Sequence, residues 1–204
     1  NYLTNKGRPG GFSGLRLDAE RTPTLSGGTT YYIAGQLYKS ITKDENWKAS
    51  DGNNFTTVEF KDKQGMVLLK RIYNANVPHD TYYVYDSYGN LTYVLPPKAE
   101  PQTAIPNATT LSELCYQYKY DHWNRLVEKK LPAKQLEYLI YDSHNRPILT
   151  QDGNLRADDL WAFSKFDVYG RNIYAGLYTN ASERSIIQQE VDTFILNNNK
   201  NNTE

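Results

Sequence analysis

The chain has 204 residues, 39% of them apolar, which bounds it to one or two domains with a core of moderate size. Its 23 basic and 23 acidic residues cancel, leaving no positive field to gather nucleic acid or an acidic membrane surface. The single cysteine, Cys115, excludes an internal disulfide framework, and no apolar run reaches membrane-spanning length.

Residues 1–53 hold eight of the thirteen glycines and read as a leading segment distinct from the rest. Gly7, Gly10, Gly11 and Gly14 predict a loop or irregular edge. The run at 7–14 lacks the Gly-Lys-Ser/Thr ending of a phosphate loop, so a flexible loop is its reading. Thr29–Ile33 and Gln36–Ile41 are expected as edge strands, being rich in aromatic and β-branched residues. Asp51-Gly52-Asn53-Asn54 is a further turn signal, the trace of a degenerate hairpin. Asn1 opens without methionine or a signal-peptide pattern, so the chain is expected to be a piece of a larger protein.

Residues 54–179 repeat one unit. Five times an aspartate is followed three residues later by glycine or asparagine: Asp62 and Gly65, Asp86 and Gly89, Asp121 and Asn124, Asp142 and Asn145, Asp167 and Gly170. In four copies an aromatic residue directly precedes the aspartate, and the aspartates stand 24, 35, 21 and 25 residues apart. Aspartate at the start of a type I turn accepts a hydrogen bond from the backbone two residues on. Glycine, or next best asparagine, takes the positive φ that closes such a turn into a bulged hairpin. Flanking runs such as Thr81–Tyr85, Leu91–Leu95 and Leu114–Tyr120 read as strands. The unit therefore predicts an all-β fold of consecutive antiparallel hairpins. Eighteen tyrosines suit sheets with one packed and one wet face. The long spacing is explained by a proline-rich insertion at 96–109. Thr110–Leu114 and Arg156–Trp161 could each form one helical turn.

In 180–204, Ser182 is placed to cap a helix carrying Ile186, Ile187, Val191, Phe194 and Ile195 on one face. That face has two open alternatives, the last hairpin or a surface outside these repeats. The polar stretch from Asn197 is expected to fray.

Chemistry is sparse. The repeated aspartates are explained by their turns, and no Asp-x-Asp-x-Asp run offers calcium several oxygens close in sequence. His79, His122 and His144 are scattered, so no metal or other cofactor is expected. Cys115 reads as a small buried side chain, and Asp158-Asp159 as favouring the start of a short helix. Trp47, Trp123 and Trp161 are candidates for stacking on a ligand. Asn54, Asn90, Asn107, Asn180 and Asn201 begin glycosylation sequons, which matter only in a eukaryotic secretory protein.

The Tyr-Asp-x-x-Gly-Arg pattern, best in Tyr85–Leu95 and Phe166–Arg171, resembles the YD repeat of the Rhs and teneurin families. The resemblance covers roughly residues 55–178. Asp62 lacks the preceding aromatic, and Asn124 and Asn145 stand where glycine is usual, but the turn chemistry is kept. The resemblance implies a curved sheet that forms part of a larger β-shell, in a bacterial protein that is secreted or held at the cell surface. In relatives such shells enclose a toxin or other cargo. A non-catalytic wall segment is then the expected function, with further repeats of the parent chain, an enclosed toxin or a secretion partner beside it. The alternative is an adhesion module binding glycans or proteins at a cell surface. In toxin-bearing relatives a core segment rich in Arg-Tyr-Tyr-Asp-Pro and Gly-Arg-Phe carries self-cleaving aspartates. Nothing here matches it, so neither proteolysis nor a toxin is assigned to these residues. Two open sheet edges imply that the segment is stable only within its parent or against a partner.

Overall fold

The computed structural model describes Leu25, Tyr32 and residues 35–201, with side chains through residue 195. The glycines at 7–14 and the strand expected over Thr29–Ile33, apart from Tyr32, lie outside the described residues. Among the described residues eleven strands form one antiparallel sheet in chain order. They are β1 (Tyr38–Lys43), β2 (Thr56–Lys61), β3 (Val67–Asn74), β4 (Val77–Tyr85), β5 (Leu91–Leu95) and β6 (Tyr116–Tyr120). Then follow β7 (Leu126–Lys130), β8 (Leu136–Tyr141), β9 (Pro147–Gln151), β10 (Leu160–Phe166) and β11 (Asn172–Thr179). The described residues also form three α-helices: α1 (Ala108–Leu114), α2 (Gly153–Ala157) and α3 (Arg184–Asn201).

The five aspartate turns join β2 to β3, β4 to β5, β6 to β7, β8 to β9 and β10 to β11. Every other connection lies at the opposite edge. Strict alternation therefore places all five turns in one row. The register of each hairpin shifts by one residue next to its turn, between Phe60 and Lys61, Val84 and Tyr85, Lys119 and Tyr120, Ile140 and Tyr141, and Lys165 and Phe166. That shift is the bulge which a left-handed residue after a type I turn creates.

Paired residues share a face, so the register sorts the side chains. One face carries Leu69, Tyr82, Leu95 and Tyr93 toward β1 and Ile140, Leu149 and Trp161 toward β11. Both apolar patches are covered. Ala99, Leu111, Leu114 and Cys115 close the first, and Ile187 and Val191 of α3 close the second. The proline-rich insertion is thus not a free loop. Pro97–Ala99 makes a short 3-10 turn, and Ala99 and Pro101 are buried. The other face carries Tyr83, Val94, Tyr116 and Tyr118, with Lys129 paired to Glu137 at 2.6 Å.

Several local expectations shift. Cys115 is the C-cap of α1 rather than a strand residue, yet it is fully buried, which pushes its thiol up to about 11. Asn107 caps α1 by accepting from the Thr110 N–H, so the helix starts before Thr110. Asp152 caps α2 in the same way through Leu155. The helix is therefore over when the chain reaches Asp158-Asp159, which end it, and Leu160 and Trp161 belong to β10. Ser182 does not open α3. Its N–H is held by Asn180, and the helix begins at Arg184 with the Glu183 carbonyl accepting from Ile187 at 3.2 Å. On α3 only part of the apolar stripe is used, since Ile187 is buried while Ile186 and Phe194 are exposed. The helix lies mainly on β8 and its Ile187 also packs with Trp161 of the last hairpin; it is tied by the Gln188 amide, which accepts from Tyr141 N–H and donates to Tyr141 C=O, both at 2.9 Å.

Two hairpins carried no glycine signal. Ala75 and Asn76 turn β3 into β4 with φ of 48° and 62°, the two positive values of a tight type I′ turn. Pro132 and Ala133 (φ 56°) turn β7 into β8, closed by Lys134 N–H to Leu131 C=O at 3.1 Å.

Candidate functional site: the row of aspartate turns

Each turn is built identically. The carboxylate Oδ1 accepts from the backbone N–H two residues on and from the N–H four residues on, at 2.8–3.0 Å in all five copies. The third residue, Gly65, Gly89, Asn124, Asn145 or Gly170, has φ between 59° and 86° and donates its N–H to the aspartate carbonyl. One carboxylate oxygen thus satisfies two backbone donors that the tight turn would otherwise orphan.

The second oxygen, Oδ2, reaches the side chain four residues on. Arg125, Arg146 and Arg171 donate Nε to their own aspartate at 2.7 Å, and Asn90 donates Nδ2 to Asp86 at 2.9 Å. Met66 stands at this position after Asp62 and has no donor. The same side chain then reaches forward to the next turn. Asn90 Nδ2 also donates to Asn124 Oδ1 at 3.1 Å. Arg125 Nη1 donates to the Asp142 carbonyl at 3.4 Å and to Asn145 Oδ1 at 3.3 Å. Arg146 Nη1 donates to the Asp167 carbonyl at 3.4 Å.

A reciprocal bond runs backward. The Tyr85 hydroxyl donates to Val67 C=O at 3.1 Å, Tyr120 to Leu91 C=O at 3.1 Å, and Tyr141 to Leu126 C=O at 2.8 Å. Each acceptor lies five residues beyond the aspartate of the preceding turn. The tyrosine before each aspartate is therefore a cross-strand ligand for the turn before it. Its ring also receives that turn's arginine, since Arg125 lies 4.9 Å over Tyr141 and Arg146 lies 4.8 Å over Phe166. Phe166 keeps the ring and lacks the hydroxyl.

Electrostatics follow the geometry. Burial works against ionisation of Asp142, but the Arg146 N–H and guanidinium and the His144 N–H outweigh it and hold the carboxyl below the usual range. Asp167 is lowered chiefly by the Arg171 N–H. Burial raises Tyr85, Tyr120 and Tyr141, so their hydroxyls stay protonated donors.

A second polar feature, a cleft of about 400 Å³, lies where residues 180–185 cross the covered face above Lys119, Glu128, Tyr138 and Gln151. Five of its side chains are engaged with one another. Lys119 pairs with Glu128 at 2.9 Å, and Arg156 lies 4.1 Å over Tyr138 and donates Nε to Gln151 at 3.3 Å. Burial beside it lowers Arg184 to about 10, which Asp192 partly offsets. Among the described residues no group of three His, Cys, Asp or Glu side chains could hold a metal ion, and no helix is long and apolar enough to cross a membrane.

The three tryptophans are not brought together. Trp161 is 1% exposed, stacks on Tyr138 and donates Nε1 to Asn180 C=O, which leaves no face for a ligand. Trp47, in the loop between β1 and β2, is covered by Lys43 and donates to Gly52 C=O at 3.1 Å. Trp123, at a turn tip, is 67% exposed. The roles of Arg125, Arg146 and Arg171 were missed by sequence reasoning, although their constant place after the turn is a signal in the repeat itself.

No family model and no curated protein matches the chain. Among solved structures it is similar to a crystallised TcdB2–TccC3 toxin assembly, at 19% identity and a TM-score of 0.45, and to a Tc holotoxin pore of Photorhabdus luminescens, at 17% identity and 0.47. Each similarity covers 63% of this chain and 6% of the other, so the chain spans a small part of the length of the structures that it matches.

Proposed function

We propose that the chain is a non-catalytic structural segment of a larger secreted protein, where it forms part of the wall of a hollow β-shell enclosing a toxin or other cargo. The observation that carries this reading is the turn-to-turn ladder. A lone hairpin is marginal in water. Here, hairpins after the first are tied to the one before by some combination of a tyrosine hydroxyl, a stacked ring and a forward-reaching side chain. The unit builds an extended, stiff sheet and uses its charged groups internally, as a wall does. The test is the intact mass of the native protein, with peptides mapped outward from both termini of this chain. Many further aspartate turns leading to a separate domain support the wall. A native product ending near residues 1 and 204 removes it.

A second reading, adhesion to a glycan, is favoured by one observation. The tip residues Tyr88, Trp123 and Tyr169 occupy the same slot, two after the aspartate, and are all exposed. Tyr88 and Trp123 lie two strands apart along one edge, about 10 Å, close to the length of a disaccharide in an extended polysaccharide, and Tyr169 lies about twice that distance beyond Trp123, past the His144 tip. In the turns of Trp123 and Tyr169 an arginine neutralises the aspartate, which points to a neutral polysaccharide as the ligand class. Retention on immobilised neutral polysaccharides that is lost in Trp123→Ala supports adhesion, and equal retention of the variant removes it.

A further inference from the structure

The ladder has a direction, and it stops at β11 with its donor in place. Arg125 and Arg146 each bridge their own aspartate to the following turn, and their side chains are 13% and 28% exposed. Arg171 makes the same bond to Asp167 at 2.7 Å, but its side chain is 73% exposed and lies over Tyr169 of its own turn. All eight residues of β11 are exposed, among them Ile173 and Leu177, while α3 turns back over β8.

The geometry points to β11 as an acceptor edge for one kind of partner: the outer strand of an antiparallel hairpin that ends in an aromatic residue followed by an aspartate turn. This deepens the wall reading, on which the identity of the occupant rests. Three features define the fit. The incoming ring would lie over the Arg171 guanidinium, as Tyr141 and Phe166 lie against Arg125 and Arg146. Arg171 would donate to the carbonyl of the incoming aspartate, as Arg146 does to Asp167. A tyrosine in the aromatic position would donate its hydroxyl to Asn172 C=O, the carbonyl five residues beyond Asp167. Val67, Leu91 and Leu126 stand at that place after the earlier aspartates and accept such a bond. A second copy of this chain in the same orientation fits poorly. With eleven alternating strands, β1 and β11 run in the same direction, so β1 of that copy would meet β11 parallel.

The probe is a labelled synthetic peptide of residues 136–151, a hairpin with Tyr141 before Asp142, titrated into the 204-residue chain and followed by anisotropy. Saturable binding is expected, weakened about tenfold or more by Arg171→Ala on the protein. A smaller loss, about two- to tenfold, is expected from Tyr141→Phe within the peptide. Binding that ignores both changes overturns the proposal, as does no binding to a chain shown by circular dichroism to hold its sheet. Self-association of the chain that masks β11 and is unaffected by Arg171→Ala overturns it too. A second measurement uses the native parent protein. There Arg171 should resist arginine-selective dicarbonyl reagents to the degree expected of Arg125, whose side chain is 13% exposed, and modification at the rate of an exposed arginine overturns the assignment. Peptide binding combined with a short native protein would leave the acceptor edge standing and remove the wall.

Discussion

Replacing Tyr141 by phenylalanine isolates the backward rung of the ladder. The change deletes one oxygen and leaves the ring under Arg125 and the volume of a buried side chain intact. It removes the 2.8 Å bond to Leu126 C=O at a site where water has little access. A neutral hydrogen bond contributes about 1 kcal/mol net, and a carbonyl left without its donor adds to the loss, so about 1–2 kcal/mol is expected. Hydrogen exchange in the intact parent protein reads this locally. Amides around the turns at 121–126 and 142–147 should lose about 5–30-fold protection, the factor that one to two kcal/mol implies. Tyr169→Phe, at an exposed tip, is the control and should change nothing. The natural counterpart is Phe166→Tyr, which supplies the absent hydroxyl near Pro147 C=O and should slow exchange at the turn after Asp142. If Tyr141→Phe leaves protection within twofold of the parent, the tyrosine of the repeat acts by its ring alone and the hydroxyl rung has no energetic role.

Gly89→Val should cost about 1–3 kcal/mol through forced positive φ, because φ is 86° and a Cβ there meets only Met66 Sδ at 3.8 Å; an unchanged melting midpoint would show that the turn relaxes. Asp142→Asn probes pH. The folded carboxyl titrates below its unfolded value of about 3.9, so its contribution is present above that pH and is lost as pH falls through the folded value. The variant should be less stable at pH 7 and converge on the parent in acid, and a gap that does not narrow as pH falls below the unfolded value would refute the linkage. Cys115 should be silent to thiol reagents at pH 8 until the α1 region opens, since its thiol titrates at about 11, and rapid labelling of the folded protein would contradict its burial. With β1 exposed along its length, the isolated chain should self-associate in sedimentation through that edge and leave β11 open to the peptide, whereas a monodisperse monomer that unfolds cooperatively would show that the β1 edge is guarded.

The five hairpins were legible because their chemistry is local. An aspartate and a residue tolerant of positive φ, three positions apart, fix a turn whatever surrounds it. Ala75 and Ala133 break that legibility, for alanine gives no sign of the left-handed backbone it adopts at both places. The start of α2 was misread because Asp152 and Asp158-Asp159 are equally plausible acids, and only the bond from Leu155 N–H decides between them. Trp161 was unreadable for a different reason. Its burial depends on Ile187, 26 positions away in sequence, returning on α3 to cover the patch around Ile140. The row itself is an intermediate case. Its members were visible one by one, but that they share an edge follows only from strict hairpin alternation, which the insertion at 96–109 had obscured.

The ladder's polarity gives the departures from the repeat a physical order. A rung needs a forward-reaching donor on one turn and an aromatic residue with an acceptor carbonyl on the next. The first turn has Lys61 before Asp62 and Met66 after it, so it presents no ring to an earlier turn and sends forward only an apolar side chain, whose Sδ lies beside Gly89 of the next turn, together with Val67 C=O, the acceptor for Tyr85. The second turn sends forward the short amide of Asn90. The third and fourth send arginines that combine charge, fork geometry and stacking. Forward contacts thus change in kind from β3 toward β11, from a thioether through an amide to guanidinium groups, and the last guanidinium, Arg171, stands where the described sheet offers it no later turn. If the rungs were incidental to packing, donors would be scattered without regard to position. Exchanging Met66 and Arg171 between the first and last turns tests that order. The exchange should leave both local hairpins formed, because Oδ1 still serves the two N–H donors of each turn, while abolishing peptide capture at β11. Capture that survives the exchange would show that strand pairing alone defines the edge, and the directional reading of the repeat would fail.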